Sequence, residues 1–155
     1  MTLIASRASL LHTAIQDLHA GKQDAAKRLS GLAEKTQDAA LAQVLRNEAD
    51  RANAQAARLT ETGVDVSGPK NLWMAGILDD AERDGKQTEP GPLLDIALVG
   101  AIRKAKAAEI VSSETAMALA RALGESDLAD AVAANRAEEI ASDRALKDRL
   151  AALSG

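Results

Sequence analysis

Apolar residues recur every three or four positions along most of the chain, a spacing typical of α-helices with one buried face. The pattern runs through four long segments, with a shorter one between the second and the third. We predict helices at residues 6–33, 37–61 and 71–83, from Pro92 to a stop at Gly124, and from Ser126 onward.

Four residues mark the predicted helix ends. Thr36 can cap the second helix with its side-chain oxygen, and Ser126 can do the same for the last one. Pro92 lies in the first turn of the third long helix, where proline is tolerated. Gly124 ends that helix, because glycine readily adopts the left-handed conformation that follows helix C-termini.

Each long helix carries one inward-facing stripe of residues, which we call its seam. The seams of the first two helices are Leu11, Ile15, Leu18, Lys22, Ala25, Leu29 and Leu32, and Leu41, Val44, Leu45, Glu48, Arg51, Ala52, Gln55 and Leu59. The other two are Val99, Ile102, Lys106, Glu109, Ser113, Ala116, Ala120 and Leu123, and Leu128, Val132, Asn135, Glu139, Asp143, Leu146, Leu150 and Leu153. Every seam is apolar at its ends and polar in its middle.

The lengths of the connections predict the topology. The first and last connections are short, so each joins an antiparallel helix pair. Residues 62–92 form a connection long enough to cross the bundle, and it contains the short helix. Two hairpins joined by one long crossover are typical of ferritin-like proteins. We therefore expect residues 1–155 to form one all-α domain, a ferritin-like four-helix bundle whose crossover contains a short helix.

The composition favours a closely packed helical protein. Hydrophobic residues make up 46% of the chain, but aromatic residues only 1%, and Trp73 is the single aromatic side chain. Alanine, the best helix former, supplies much of the apolar fraction. The branched and aromatic residues that β-sheets favour are scarce.

Charge and cysteine content exclude several function classes. The net charge is −4 and the basic residues form no stripe or tail, so we expect no nucleic-acid partner. No stretch is apolar enough for a secretion signal or a membrane span, and we expect a cytoplasmic protein. The absence of cysteine excludes disulfides, thiolate metal sites and a cysteine nucleophile.

The polar seam positions fall at a similar depth on all four long helices. We predict that they form one shared charged layer inside the bundle, because inward-facing charges are costly unless paired. The predicted layer consists of Lys22, Glu48, Arg51, Gln55, Lys106, Glu109, Glu139 and Asp143. Two alternatives stay open: Lys22 and Arg51 could reach out to solvent, and a one-residue error in helical phase would move Arg51 or Asp143 to the rim.

The layer is a poor predicted metal site. A di-iron bundle uses a Glu-x-x-His motif on two helices, and the chain contains none. His12 and His19 both lie on the first helix, where we expect ordinary surface or rim positions. We expect no cofactor and no bound metal; if a metal is bound, the ligands would be Glu48, Glu109, Glu139 and Asp143.

The order and spacing of several motifs resemble one bacterial family, the YciF/YciE-type ferritin-like proteins, a domain of unknown function. The likeness covers about residues 10–153. It rests on LHAGKQ at 18–23, the second helix at 41–59 with DRA at 50–52, MAGILDDAE at 74–82, DIAL at 95–98, KAAEI at 106–110 and AEEIASD at 137–143.

The resemblance implies metal-site glutamates at or near Lys22, Arg51 and Lys106, all of which are basic here. Cationic side chains would then take the place of the metal charge. It also implies a homodimer, for which Trp73 is a candidate anchor, unless Trp73 packs on its own bundle. We expect a non-enzymatic bacterial protein with a stress-related or interaction role; the alternative is a di-metal carboxylate protein that oxidises or stores iron or manganese.

Overall fold

The computed structural model describes residues 3–155, and α-helices make up most of this part of the chain. The helices are α1 (Arg7–Ala33), α2 (Ala39–Glu61), α3 (Leu72–Gln87), α4 (Pro92–Ala122) and α5 (Ser126–Ser154). Within residues 3–155 there is no β-strand, and no helix is long and apolar enough to cross a membrane.

The four long helices form the predicted ferritin-like bundle. α1 packs along α2 and α4 packs along α5, as expected for two helical hairpins with short turns. The hairpins meet through contacts of α1 with α4 and of α2 with α5. The crossover carries α3 across the outside of the bundle, where it packs on α4 and α1.

The start of α2 differs from the prediction because a distant side chain organises it. The N-cap is Asp38, whose carboxylate accepts the backbone N–H of Leu41 at 2.8 Å. The backbone N–H groups of Gln37 and Asp38 donate to the buried carboxylate of Asp95 at 3.1 and 2.9 Å. Thr36 is not the cap, because its hydroxyl turns back to the carbonyl at the end of α1.

Two other boundaries also differ. The predicted cap Ser126 is the first residue of α5, and Glu125 occupies the N-cap without a side-chain bond. α3 continues to Gln87 rather than ending at Arg83. Lys86 and Gln87 are good helix formers, so the helix continues past the predicted end.

The apolar core divides into two clusters, one on each side of the middle of the bundle. One contains Leu29, Leu32, Leu41, Leu45, Leu78, Leu94, Leu98, Ile102 and Leu146 with neighbouring small residues. The other contains Leu11, Ile15, Leu18, Leu59, Ala116, Ala120, Leu128, Ala129 and Val132. Burial of each large side chain contributes about 1.5–3 kcal/mol.

The ends of three predicted seams are less buried than their middles. Leu123 is 40% exposed at the end of α4, and Val44, Leu150 and Leu153 are half-buried. These positions lie near helix ends or at the edge of the packing surface, where no facing helix covers them completely. The remaining apolar seam residues are buried as predicted.

Polar contacts attach the crossover helix to α1. Asn71 caps α3 by accepting the N–H of Met74 at 2.8 Å, and its Nδ2 donates to the carbonyl of Asp17 at 2.8 Å. Gly21 permits this approach, because a Cβ there would lie 2.7 Å from Asn71 Nδ2. Trp73 Nε1 donates to the Asp17 carboxylate at 2.9 Å, so the tryptophan packs on its own bundle.

We predict that Asn71→Ala lowers the free energy of unfolding by about 1–3 kcal/mol, since it removes both a helix cap and the bond from Asn71 Nδ2 to the Asp17 carbonyl. Urea unfolding measures this loss. Asn53→Ala is the matched control, because Asn53 is exposed within α2. Equal effects of the two substitutions would show that Asn71 does not anchor the crossover.

Candidate functional site

A layer of charged and polar side chains separates the two apolar clusters. It lies where the polar middles of the seams of α1, α2, α4 and α5 meet. Its buried members are each 5% exposed or less: Lys22, Glu48, Gln55, Lys106, Glu109 and Glu139. Lys22 is 1% exposed, so its ammonium does not extend to solvent along α1.

Lys22 lies at the centre of one half of the layer. Its Nζ donates to Gln55 Oε1 at 2.7 Å and to Glu109 Oε1 at 3.1 Å. Glu139 Oε1 is 3.9 Å away. One ammonium therefore connects α1 to the other three long helices, because its partners lie on α2, α4 and α5.

Lys106 lies at the centre of the other half. Its Nζ pairs with Glu48 Oε2 and lies 2.9 Å from Glu139 Oε2. Arg51 Nη1 donates to the second oxygen of Glu48 at 2.6 Å. Glu48 and Glu139 are thus each shared by two cations, which joins the two halves into one network.

The layer contains matching numbers of ionisable groups of each sign. The basic members are Lys22, Arg51 and Lys106, and the acidic ones are Glu48, Glu109 and Glu139. Breaking one buried pair by removing a partner typically costs about 3–5 kcal/mol, because the other charge is left uncompensated. The network therefore restricts which side chains these positions can carry.

The pKa values of Glu109 on α4 and Glu139 on α5 are shifted in opposite directions. Burial raises the pKa of Glu109 from 4.5 to about 7, although the charge of Lys22 opposes this shift. Burial would also raise the pKa of Glu139, but Lys106 and a hydrogen bond from Glu109 lower it to about 2. Burial opposes the charge of Lys106 too, yet the carboxylates around it, Glu139 first, keep its pKa above the ordinary value. Glu109 is thus the member of the layer that exchanges a proton near neutral pH.

Asp143 differs from the prediction, because it lies outside the layer. Its carboxylate accepts two bonds from Arg103, at 2.8 and 3.2 Å, and 28% of its side chain is exposed. Ser142 and Asp143 lie on either side of Glu139 around the helix axis, about one turn further along, and helical phase alone does not decide which of them is buried. Ser142 occupies the buried position instead. Arg51 lies at the rim, with 36% of its side chain exposed.

An extension of the layer toward solvent was not predicted. Gln55 Nε2 donates to Glu138 Oε2 at 2.9 Å, and Arg58 donates to both Glu138 Oε1 and Asn135 Oδ1, at 2.8 and 2.6 Å. The only signal in the sequence is a polar pair three residues apart on each of two helices that pack together. These bonds hold the Gln55 amide so that its oxygen faces Lys22.

The residues present do not fit a di-metal site. The Nζ atoms of Lys22 and Lys106 lie between the converging carboxylates, in the position a dication would need. Among residues 3–155, no group of three or more His, Cys, Asp or Glu side chains is arranged to hold a metal ion. A bound cation would have to displace both ammonium groups, against their charge.

The histidines lie apart from the layer. His12 Nε2 is 3.0 Å from the carbonyl of Asp65 in the crossover, close to the predicted surface position. His19 is 8% exposed rather than at the rim, with Thr60 Oγ1 at 3.4 Å from its Nε2. Burial lowers the pKa of His19.

The sequence identifies the family. The model of the family described as Domain of unknown function (DUF892) matches residues 6–154. The chain belongs to this family.

Relatives with names and solved structures agree with this assignment. The DUF892 chain is 26% identical over 139 residues to Protein YciF of Escherichia coli (strain K12), covering 86% of this chain and 84% of YciF. It superposes on the crystal structure of the E. coli stress protein YciF with a TM-score of 0.93 at 23% identity, over 97% of this chain and 98% of the other. For YcfI of Rhodopseudomonas palustris the TM-score is 0.87 at 24% identity, over 93% and 94%. The predicted family and fold are confirmed.

We predict that Lys106→Met destabilises this DUF892 protein by about 3–5 kcal/mol, because it strands the negative charges of Glu48 and Glu139 in the core. Lys106→Glu should destabilise it as well, unless a dication is added that binds the enlarged carboxylate group of the native state. Thermal or urea unfolding, with and without manganese, measures both effects.

Lys104→Met is the matched control, because Lys104 is exposed on α4 near Lys106 and its only ion pair is with Asp80, at 4.0 Å, among residues 3–155. It should change stability by less than about 0.5 kcal/mol. Near-neutral effects of both Lys106 substitutions would mean that the ammonium is not paired inside the bundle.

We also predict a pH effect that depends on Glu109. Between about pH 5 and 7 the folded protein retains a proton on Glu109 that the unfolded chain has released. This stabilisation is fully present below pH 4.5 and is lost as the pH rises through 7, which corresponds to about 3 kcal/mol. Glu109→Gln should abolish this pH-dependent loss of stability. The free energy of unfolding of the variant should therefore rise relative to that of the wild type between pH 5 and 8.

Urea unfolding at each pH tests this difference, and Glu89→Gln, at an exposed position in the loop before α4, is the control. Taking the difference from the wild type cancels the contributions of other titrating groups. A difference that stays constant from pH 5 to 8 would show that Glu109 is ionised throughout.

Proposed function

We propose that this protein is a non-enzymatic ferritin-like bundle whose core is held by salt bridges in place of a di-metal site. The supporting observation is the position of Lys22 and Lys106, whose ammonium groups lie among Glu48, Glu109 and Glu139. Each provides the positive charge that these carboxylates need when they are out of water.

The physical basis of this proposal is a competition for one space. A metal ion and an ammonium group cannot occupy the same cluster of carboxylates, and their like charges repel strongly where little water is present. The ammonium groups are part of the chain, so they are available at every metal concentration. We infer that the bundle folds and functions without a metal.

For the cellular role, we propose a bacterial stress-related or interaction protein acting in the cytoplasm. Support comes from the likeness to YciF, which is described as a stress protein. A bundle without redox metal would act through its surface rather than through chemistry in its core.

A di-metal carboxylate protein is the second candidate. It is favoured by one observation, the convergence of Glu48, Glu109 and Glu139 on two neighbouring points of the core. Asp143 cannot join them without leaving Arg103. Both lysines would also have to turn away.

We predict that the protein retains less than one equivalent of transition metal per chain. The measurement is elemental analysis after purification without a metal-affinity tag, followed by ferrous iron or manganese and gel filtration. The double variant Lys22→Glu/Lys106→Glu is the positive comparison, because it restores oxygen ligands at both points and should bind metal if it folds. Two ions retained per wild-type chain, lost in Glu109→Gln, would contradict the proposal.

We further propose that the protein is a homodimer, and we predict a dimer in sedimentation experiments at high micromolar concentration. Trp73 packs on its own bundle, so it is no longer the expected anchor. The exposed apolar side chains Leu72, Leu93 and Val111, at 80%, 67% and 63% exposure, remain available for an interface. A monomer at that concentration would contradict the dimer.

A further inference from the structure

A narrow groove connects the charge layer to solvent between α2 and α5. Its volume is about 180 Å³, and Glu48 of the layer forms part of its wall. Asn47, Arg51 and Ser142 supply its other polar groups. The remaining lining is aliphatic and consists of Val44, Ala141 and Ala145.

Arg51 lines this groove and has unused hydrogen-bond donors. Its Nη1 donates to Glu48 at 2.6 Å, while its Nε and Nη2 have no recorded partner within residues 3–155. Glu48 is shared with Lys106, so Arg51 is only partly neutralised. The Nε–Nη2 edge of a guanidinium matches the two oxygens of a carboxylate.

Ser142 supplies a second, independent indication of a ligand. The residue is 4% exposed and lines the groove. Its hydroxyl has no hydrogen-bond partner in the part of the chain that the structure describes. Buried hydroxyl groups are normally satisfied, so this unpaired one is left to bond a ligand that enters the groove.

We propose that the groove binds a small aliphatic monocarboxylate of the size of acetate or propionate. The ligand carboxylate would pair with the Nε–Nη2 edge of Arg51 and accept a bond from the Ser142 hydroxyl. Its alkyl end would lie on the methyl groups of Val44, Ala141 and Ala145. This site rests on the salt-bridged core proposed above, because that core leaves Arg51 partly neutralised at the mouth.

Size and charge select this ligand class. The groove is smaller than the roughly 300–1,000 Å³ of sites for drug-sized molecules. A dianion such as phosphate would bring a second negative charge next to Glu48. The aliphatic wall favours a ligand with one charged end and one apolar end over an inorganic ion.

Isothermal titration calorimetry with acetate, propionate and inorganic phosphate tests the site, at constant ionic strength and with a chelator present. We expect saturable binding of acetate and propionate, with phosphate at least about 10-fold weaker. Arg51→Lys keeps the positive charge but loses the paired N–H donors of the guanidinium, and should weaken carboxylate binding about 10-fold. Ser142→Ala leaves the ion pairs intact and should weaken it about threefold or more.

Arg46→Lys is the matched control, because Arg46 is exposed on the same helix, and it should leave the affinity within twofold. Absence of saturable binding, or equal affinities for the wild type, Arg51→Lys and Ser142→Ala, would overturn the site.

A second titration with manganese in place of the chelator separates this proposal from that of the salt-bridged core. Carboxylate binding that appears only with manganese would contradict both the salt-bridged core and this site, whereas absence of binding in both titrations would remove the site alone.

Discussion

A charge that leaves water must find a partner, and this requirement determines the middle of the bundle. Lys22 and Lys106 are buried where ammonium groups are unstable alone, and each is held by acidic or amide groups from neighbouring helices. Because the two lysines and their partners together come from all four long helices, sliding or rotating one helix would break several pairs together. We infer that the layer sets the relative register of the helices, while the apolar clusters on either side supply most of the stability.

The same constraint links the fold to the proposed function. In a ferritin-like bundle, carboxylates converge at mid-depth and need a positive charge there. Lysine provides it with a group that is always part of the chain. This arrangement places a proton-exchanging carboxyl, Glu109, next to a fixed network, and leaves Arg51 at the rim in contact with solvent. The backbone of this DUF892 protein superposes on that of YciF over nearly the whole chain.

Helix positions and inward faces depend on periodicity, and the sequence predicted them. Helix caps and side-chain bonds that depend on residues distant in the chain could not be predicted. A repeat of three or four residues located all five helices, and placed Lys22 and Glu48 on inward faces because each lies between buried apolar positions. Periodicity could not decide whether Asp143 or Ser142 faces inward, since both lie about one turn from Glu139. Nor could it find the start of α2, which depends on a carboxylate 57 residues away in the chain from Asp38. The bonds of Arg58 across to α5 were missed for the same reason.

The central claim is that ammonium groups occupy the place a metal ion would take. A crystal structure of crystals grown with manganese, with anomalous diffraction recorded at the manganese edge, tests it most directly. The account predicts no anomalous peak in the core, and the Nζ atoms of Lys22 and Lys106 within hydrogen-bonding distance of Glu109 and Glu139. A strong peak between Glu48, Glu109 and Glu139, with both lysines turned away from them, would contradict it.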